Sequence, residues 1–228
     1  AELQFPYIAG LGFVQAVRAS GGWKDVNAVY RDPPDSTEQI LHPKRYLNRD
    51  PPVLIDLDTP SILDTLPGVG WSPFYSSVLG EYRMRLWLEE HLGVDSPLPA
   101  SAADGWDGDR LRGFQRGEHV IAVLASVWDS PEEATEFAGA LVLMANKRRA
   151  QASVFERSGR HGGMVCWGLD DGTLTLIERW GTWVIYIEGV PADPGRDVGA
   201  LREAIWQGRQ TGPYPRTQTY GPRRNPTD

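Results

Sequence analysis

The side chains most able to do chemistry lie between Tyr30 and Leu47, where Ser36, Thr37, Glu38, Gln39, His42, Lys44 and Arg45 crowd into one short stretch. Glu38 and His42 stand at i,i+4, a spacing that puts a carboxylate and an imidazole on one helical face, either as two ligands of a metal or as a structural hydrogen-bonded pair. A second set is Asp104, Asp107 and Asp109, with Gly105 and Gly108 between them. Oxygens at such intervals could surround a calcium ion, although the spacing is not that of an EF-hand, and Asp109 as a helix N-cap with Asp104 in a turn uses the same residues. Glu81 would be a catalytic carboxylate if buried, or a surface ion pair with Arg85 one helical turn on. The four histidines at 42, 91, 119 and 161 show no H-x-x-x-H pairing, and there is neither a G-x-S-x-G elbow nor a glycine-rich phosphate loop after a strand. No complete active site, and no cofactor site, can be assembled from these residues.

The elements that position the first set are short. Asp35 or Ser36 can cap a helical turn, with Glu38 or Gln39 reaching back to the cap, and Pro43 biases His42 towards an extended conformation and stops the turn. One turn does not survive alone, so Pro33 and Pro34 must stiffen it while Ile40 and Leu41 bury against something larger. Such a stiff loop presents its polar side chains in fixed positions as a binding surface, while a capping box accounts for most of the same residues. Upstream, Phe5 to Ser20 reads as a helix with Ile8, Leu11, Val14 and Val17 apolar, ended by Gly21-Gly22, and Trp23 to Tyr30 as a second, shorter one.

The string Pro-Pro-Asp-Ser-Thr-Glu-Gln-Ile-Leu-His-Pro over residues 33–43 resembles a motif of exported or lipid-anchored bacterial and archaeal proteins whose upstream part carries an H-E-x-x-H zinc motif of the gluzincin metallopeptidase type. The resemblance extends through Phe5-Pro-Tyr-Ile-Ala-Gly-Leu-Gly-Phe-Val, Gly21-Gly-Trp, Leu79-Gly-Glu, Ala102-Ala-Asp-Gly-Trp-Asp-Gly-Asp-Arg110 and Trp128-Asp-Ser-Pro-Glu-Glu-Ala, so it covers roughly the first 140 residues. It implies an extracytoplasmic address. It also implies either a non-catalytic binding or assembly module like the downstream half of such proteins, or the C-terminal portion of a zinc metallopeptidase whose H-E-x-x-H lies before residue 1. The 228 residues themselves contain no H-E-x-x-H, and the chain opens on Ala1 with methionine only at 84, 144 and 164, which fits an upstream piece.

The remaining pattern predicts an α+β protein. Ser76 to His91 reads as a helix, Val120 to Trp128 as a buried strand, and Ser130-Pro-Glu-Glu133 as a strong helix start followed by Ala134, Phe137, Leu141 and Met144 at helical spacing. Met164 to Leu169, Thr173 to Arg179 and Trp183 to Glu188 read as strands, Ala152 to Glu156 as another, and Asp197 to Gln207 as a last helix. The expected architecture is a mainly helical region over 1–115, then a two-layer sandwich over 116–208 with an antiparallel sheet and helices on one face. Residues 209–228, with four prolines and four arginines, read as an extended basic tail whose Tyr214 and Tyr220 would anchor it on a partner chain. A net charge of -7 argues against nucleic-acid binding, no apolar run is long enough for a transmembrane segment, and the single cysteine excludes an intrachain disulfide. The expected partner is a protein, and any membrane association would come through an upstream anchor or a complex. Nine tryptophans mark either an interface or a well-packed core.

Overall fold

A computed structural model describes residues 2–148, 153–159, 162–168, 172–192 and 198–212. It has one compact unit in the residues up to Pro52 and a second over Val53–Gly212.

The first unit begins with a 3-10 turn, Glu2–Gln4, and α1, Phe5–Val29. Gly21 (φ -148°, ψ 19°) and Gly22 (φ 73°, ψ -161°) leave helical geometry, so α1 is two arms joined at the glycine pair, as the sequence expects. Two short helices follow, α2 (Thr37–Leu41) and α3 (Pro43–Asn48). The Ser36 hydroxyl accepts the Gln39 N–H at 3.2 Å and caps α2. Pro43 does end α2, but its fixed φ also suits the first position of a new helix, so the chain turns at His42 and resumes as α3. Phe13, Val17 and Val26 form the core of this unit with Val29, Ile40 and Tyr46, and the Phe13 and Tyr46 rings meet edge to face at 5.1 Å.

The second unit is built on a seven-stranded antiparallel sheet in the order β2-β3-β4-β8-β7-β6-β5. Its strands are β2 (Ser72–Ser77), β3 (Trp106–Arg116), β4 (His119–Trp128), β5 (Ser153–Gly159), β6 (Gly162–Gly168), β7 (Thr173–Trp180) and β8 (Trp183–Pro191). Side chains alternate across the pleat of the central pair. Ile121, Val123, Ala125 and Val127 of β4 and Ile185 and Ile187 of β8 enter one core, closed by α4 (Thr59–Thr65), α8 (Val198–Gly208) and β1 (Leu54–Leu57). Leu124, Trp128, Val184 and Tyr186 enter the other, closed by α5 (Gly80–Leu92), α6 (Leu98–Ala103) and α7 (Pro131–Arg148). The α+β class and the antiparallel sheet are those expected, and the helices divide between both faces of the sheet where the sequence reading placed them on one. β1 pairs with β9 (Arg209–Gly212) as a separate two-stranded ladder, Leu54 opposite Gly212 and Leu57 opposite Arg209.

Three expectations need correction. The boundary near residue 115 is replaced by one at Pro52 and Val53, because β2 and β3 join the same sheet as β4 to β8. β3 escaped notice because its charged and glycine residues hide the period-two pattern, although its ladder with β4 runs from Trp106 to Arg116. The helix read from Ser76 starts at Gly80, where φ is 74°, and the residues before it are β2. The tail read from 209 keeps its first four residues within this unit as β9; Tyr214 and Tyr220 lie outside the described residues.

Gly189 fixes the geometry of the central sheet. Thr175 pairs with Glu188 and Leu174 with Val190, so Gly189 is the extra residue of a bulge, and it sits at φ 81°. A Cβ there would lie 2.2 Å from the Val120 carbonyl oxygen. Gly189→Ala is therefore expected to cost at least about 2 kcal/mol in a urea titration, from strain and displacement of β4 together. Gly139→Ala, on the exposed face of α7 with nothing within 4 Å of the new methyl, is expected to gain about 0.5–1 kcal/mol in the same assay.

Candidate functional site

The segment singled out in the sequence is held by its own polar side chains. The Gln39 side-chain oxygen accepts the Asp35 N–H at 2.8 Å, and its amide nitrogen donates to the Asp50 carbonyl at 2.8 Å, so one buried side chain ties the start of α2 to the end of the segment. Glu38 is only 1% exposed and its carboxylate lies 3.0 Å from Arg45 Nε, while Arg45 Nη1 reaches Asp50 at 2.9 Å. Tyr46 donates its hydroxyl to the Asp32 carbonyl at 2.6 Å, and Arg49 pairs with the Asp32 carboxylate. Burial, with the Asp32 carboxylate beside it, pushes the Tyr46 phenol above its ordinary value. A small cleft opens here, lined by Asp32, Asp35, Gln39, Tyr46 and Arg49 with Pro33 and Pro51.

Ser36, Glu38, Gln39 and Arg45 thus maintain the turn. Thr37 and His42 are half-buried and Lys44 is exposed. His42 serves as the hinge between α2 and α3, its N–H donating to the Glu38 carbonyl at 2.7 Å. Sequence reasoning missed Asp32, Tyr46 and Asp50, whose signal was the pair of prolines on either side of the segment that forces its ends together.

The same unit exposes an apolar helical face. Val17 is buried beside Phe13, but the rest of the periodic set read from the sequence faces out, Ile8 71% and Leu11 56% exposed with Val14 less so, and Leu3 (88%) and Tyr7 (79%) extend the exposed face beyond that set. No charged residue stands between Glu2 and Arg18.

In the second unit the acidic cluster is taken apart by the fold. Asp109 lies within β3 and its carboxylate accepts the N–H groups of Leu79 and Gly80, at 2.9 and 2.8 Å, and the indole N–H of Trp106 at 3.0 Å. It caps α5 from 30 residues away and is a helix cap, as the alternative reading of the sequence had it, for a different helix. Burial pushes the Asp109 carboxyl up, against the lowering effect of these donors. With three N–H donors on it, this carboxylate has little acceptor capacity left for a calcium ion. The Asp104 carboxylate accepts the Gly105 N–H at 3.1 Å, and the Asp107 carbonyl accepts the Val53 N–H at 2.6 Å. Glu81 is buried in the first turn of α5, and Arg85 pairs with Glu89 at 2.7 Å in place of the expected pair with Glu81.

Sequence reasoning also missed Glu178. Its carboxylate is wholly buried, paired with Arg202 through Nε at 2.9 Å and through Nη2, and accepts the Trp206 indole N–H at 2.7 Å. The available signal was a glutamate in the middle of an apolar strand, which demands a partner.

These features define an α+β domain in which the buried Asp109 and Glu178 hold helices to the sheet and whose first unit offers an uncovered helix. The profile of a domain of unknown function, DUF8575, matches residues 72–199, and the chain belongs to that family. The match covers all seven strands of the main sheet. Among curated proteins none matches the chain. A solved structure, the extracellular domain of PknH from Mycobacterium tuberculosis, is similar over 66% of this chain and 90% of its own, at 8% identity and a TM-score of 0.43, a likeness that carries no argument about function.

Asp109→Ala would leave three buried donors without an acceptor and is expected to cost about 2–4 kcal/mol by chemical denaturation. Amide exchange at Leu79 and Gly80 should accelerate in the variant well before global unfolding, because the loss is centred on the first turn of α5.

Proposed function

We propose that the chain is a non-catalytic binding or assembly module that docks a protein partner through the outer face of α1. The observation that carries this reading is the uncharged stretch between Glu2 and Arg18 with Leu3, Tyr7, Ile8 and Leu11 in solvent. A helix apolar on nearly every side is stable in water only when its outer face is covered too, and contiguous exposed apolar side chains are the mark of an interaction surface. Gly10 and Gly12 have open space where a side chain would project, which favours close approach by a helix of the partner. The polar segment over Ser36–Arg45 shapes the platform behind this face. An extracytoplasmic address for the module rests on the resemblance to exported gluzincin-like proteins.

The test uses the full protein in its host. A photo-crosslinking residue at Leu11 is expected to give one discrete protein adduct, and the same residue at the exposed Lys24 none. Leu11→Asp should leave the unfolding midpoint within about 0.5 kcal/mol of wild type, since the position is exposed, while moving the protein to a smaller species on native size exclusion. No adduct, or an unchanged elution, overturns the reading.

A second reading keeps the chain as the C-terminal portion of a zinc metallopeptidase. What favours it is that the stretch carrying the resemblance, with Glu38 and Gln39 buried, is a closely built substructure and not a loose connection. The encoded sequence before Ala1 decides it: an H-E-x-x-H there, with one zinc per chain in the protein that contains it, would establish the peptidase reading, and its absence would end it.

A further inference from the structure

The second unit holds a cation inside a ring of indoles. The Arg209 guanidinium carbon lies 5.3 Å from the Trp180 ring centre, 5.1 Å from that of Trp183 and 4.9 Å from that of Trp206. Trp180 and Trp183 face each other across the last pair of the β7–β8 hairpin, and Trp206 comes from α8 to meet Trp180 edge to face at 5.8 Å. Arg209 Nη1 donates to the Trp206 carbonyl, and among the described residues no carboxylate pairs with this guanidinium. Burial lowers the Arg209 pKa.

Three converging π faces attract a positive charge without offering it hydrogen-bond acceptors. A guanidinium stacks on such faces but leaves most of its five N–H groups seeking oxygen, with the Trp206 carbonyl as one acceptor, whereas a cation whose charge is wrapped in methyl groups needs only the faces. Glu178 reinforces the preference from below. Wholly buried, it accepts the Trp206 indole N–H at 2.7 Å, which fixes that wall and adds electron density to its ring, while Arg202 compensates the carboxylate on its other side. The occupant is also weakly secured. Arg209 is the end residue of a four-pair ladder with β1 and is partly exposed, and the Trp180 wall is 45% exposed, so the side chain can swing to solvent without disturbing the sheet.

We propose that Trp180, Trp183 and Trp206 form a binding site for a quaternary ammonium group, with the Arg209 side chain as a displaceable internal occupant. Binding exchanges one cation for another, so affinity is reduced by the fraction of time Arg209 fills the cage. Emptying the cage should therefore tighten binding, and removing a wall should weaken it.

The experiment is a tryptophan-fluorescence titration of the full chain with choline, with 3,3-dimethylbutan-1-ol as the neutral isostere. Wild type is expected to show a saturable change with choline and none with the alcohol at equal concentration. Arg209→Gln, which removes the charge and keeps a polar side chain, should bind choline about tenfold more tightly or better, and Trp180→Ala at least tenfold more weakly. Parallel titrations with phosphatidylcholine vesicles distinguish a lipid headgroup from a free solute as the source of the ammonium. Arg209→Gln and Trp180→Ala are each checked for the wild-type unfolding transition, and Trp183→Phe replaces any variant that does not fold. A wild type silent to choline, equal responses to choline and the alcohol, or an Arg209→Gln variant that binds no better than wild type would overturn the proposal and leave Arg209 as a fixed clasp on β9.

Discussion

The second unit depends on burying β4 and β8 from both sides at once. Strands covered on two faces have no polar face to show water, so Val120 to Trp128 and Trp183 to Ile187 are almost continuously apolar, and helices must close over each side. Every polar group admitted to those layers then needs a partner in place. Asp109 receives three N–H donors, Glu178 receives Arg202 and an indole, and Trp128 donates its indole N–H to Ser126 at 3.0 Å. These pairings select one arrangement of α5 and α8 on the sheet more than they add net stability, since the desolvation of each charge offsets much of its attraction.

The first unit obeys a different constraint. Among the described residues its core is one small cluster around Phe13, too little to order two helices of five and six residues by burial alone. Side-chain hydrogen bonds to backbone carry the remainder, and Gln39 does so with both ends of its amide. Residue types that suggest chemistry when read in a row are the same types that can tie a turn together, Ser36 by capping backbone and Glu38 by pairing with Arg45.

Legibility in the sequence followed the strength of local signals. The Gly21-Gly22 break, the Ser130-Pro131 helix start and the strands around the Gly181 turn were readable because capping, proline and turn chemistry act within a few residues. Glu133 N–H indeed meets the Ser130 hydroxyl at 3.2 Å. β2 and β3 were not, because Ser72, Pro73, Asp107, Gly108 and Arg112 depress any strand signal and only pairing with β4 makes the segment extended. The sites separated the same way. The Ser36 cap within the Tyr30–Leu47 segment was legible, whereas the cap that Asp109 provides to α5, the Glu178 network and the Trp180 and Trp183 indoles around Arg209 join residues 24 to 30 positions apart, a separation that no local pattern encodes.

The ladder between β1 and β9 brings together the first and last strands of the second unit, with Leu54 directly opposite Gly212. A domain whose two ends emerge side by side demands nothing of its surroundings but a gap the width of two strands. Such a unit can be spliced into a surface loop of an unrelated host, or rejoined across its ends and opened elsewhere, without altering its sheet order. That portability is a property of the fold's closure and is independent of whatever ligand or partner its surfaces select.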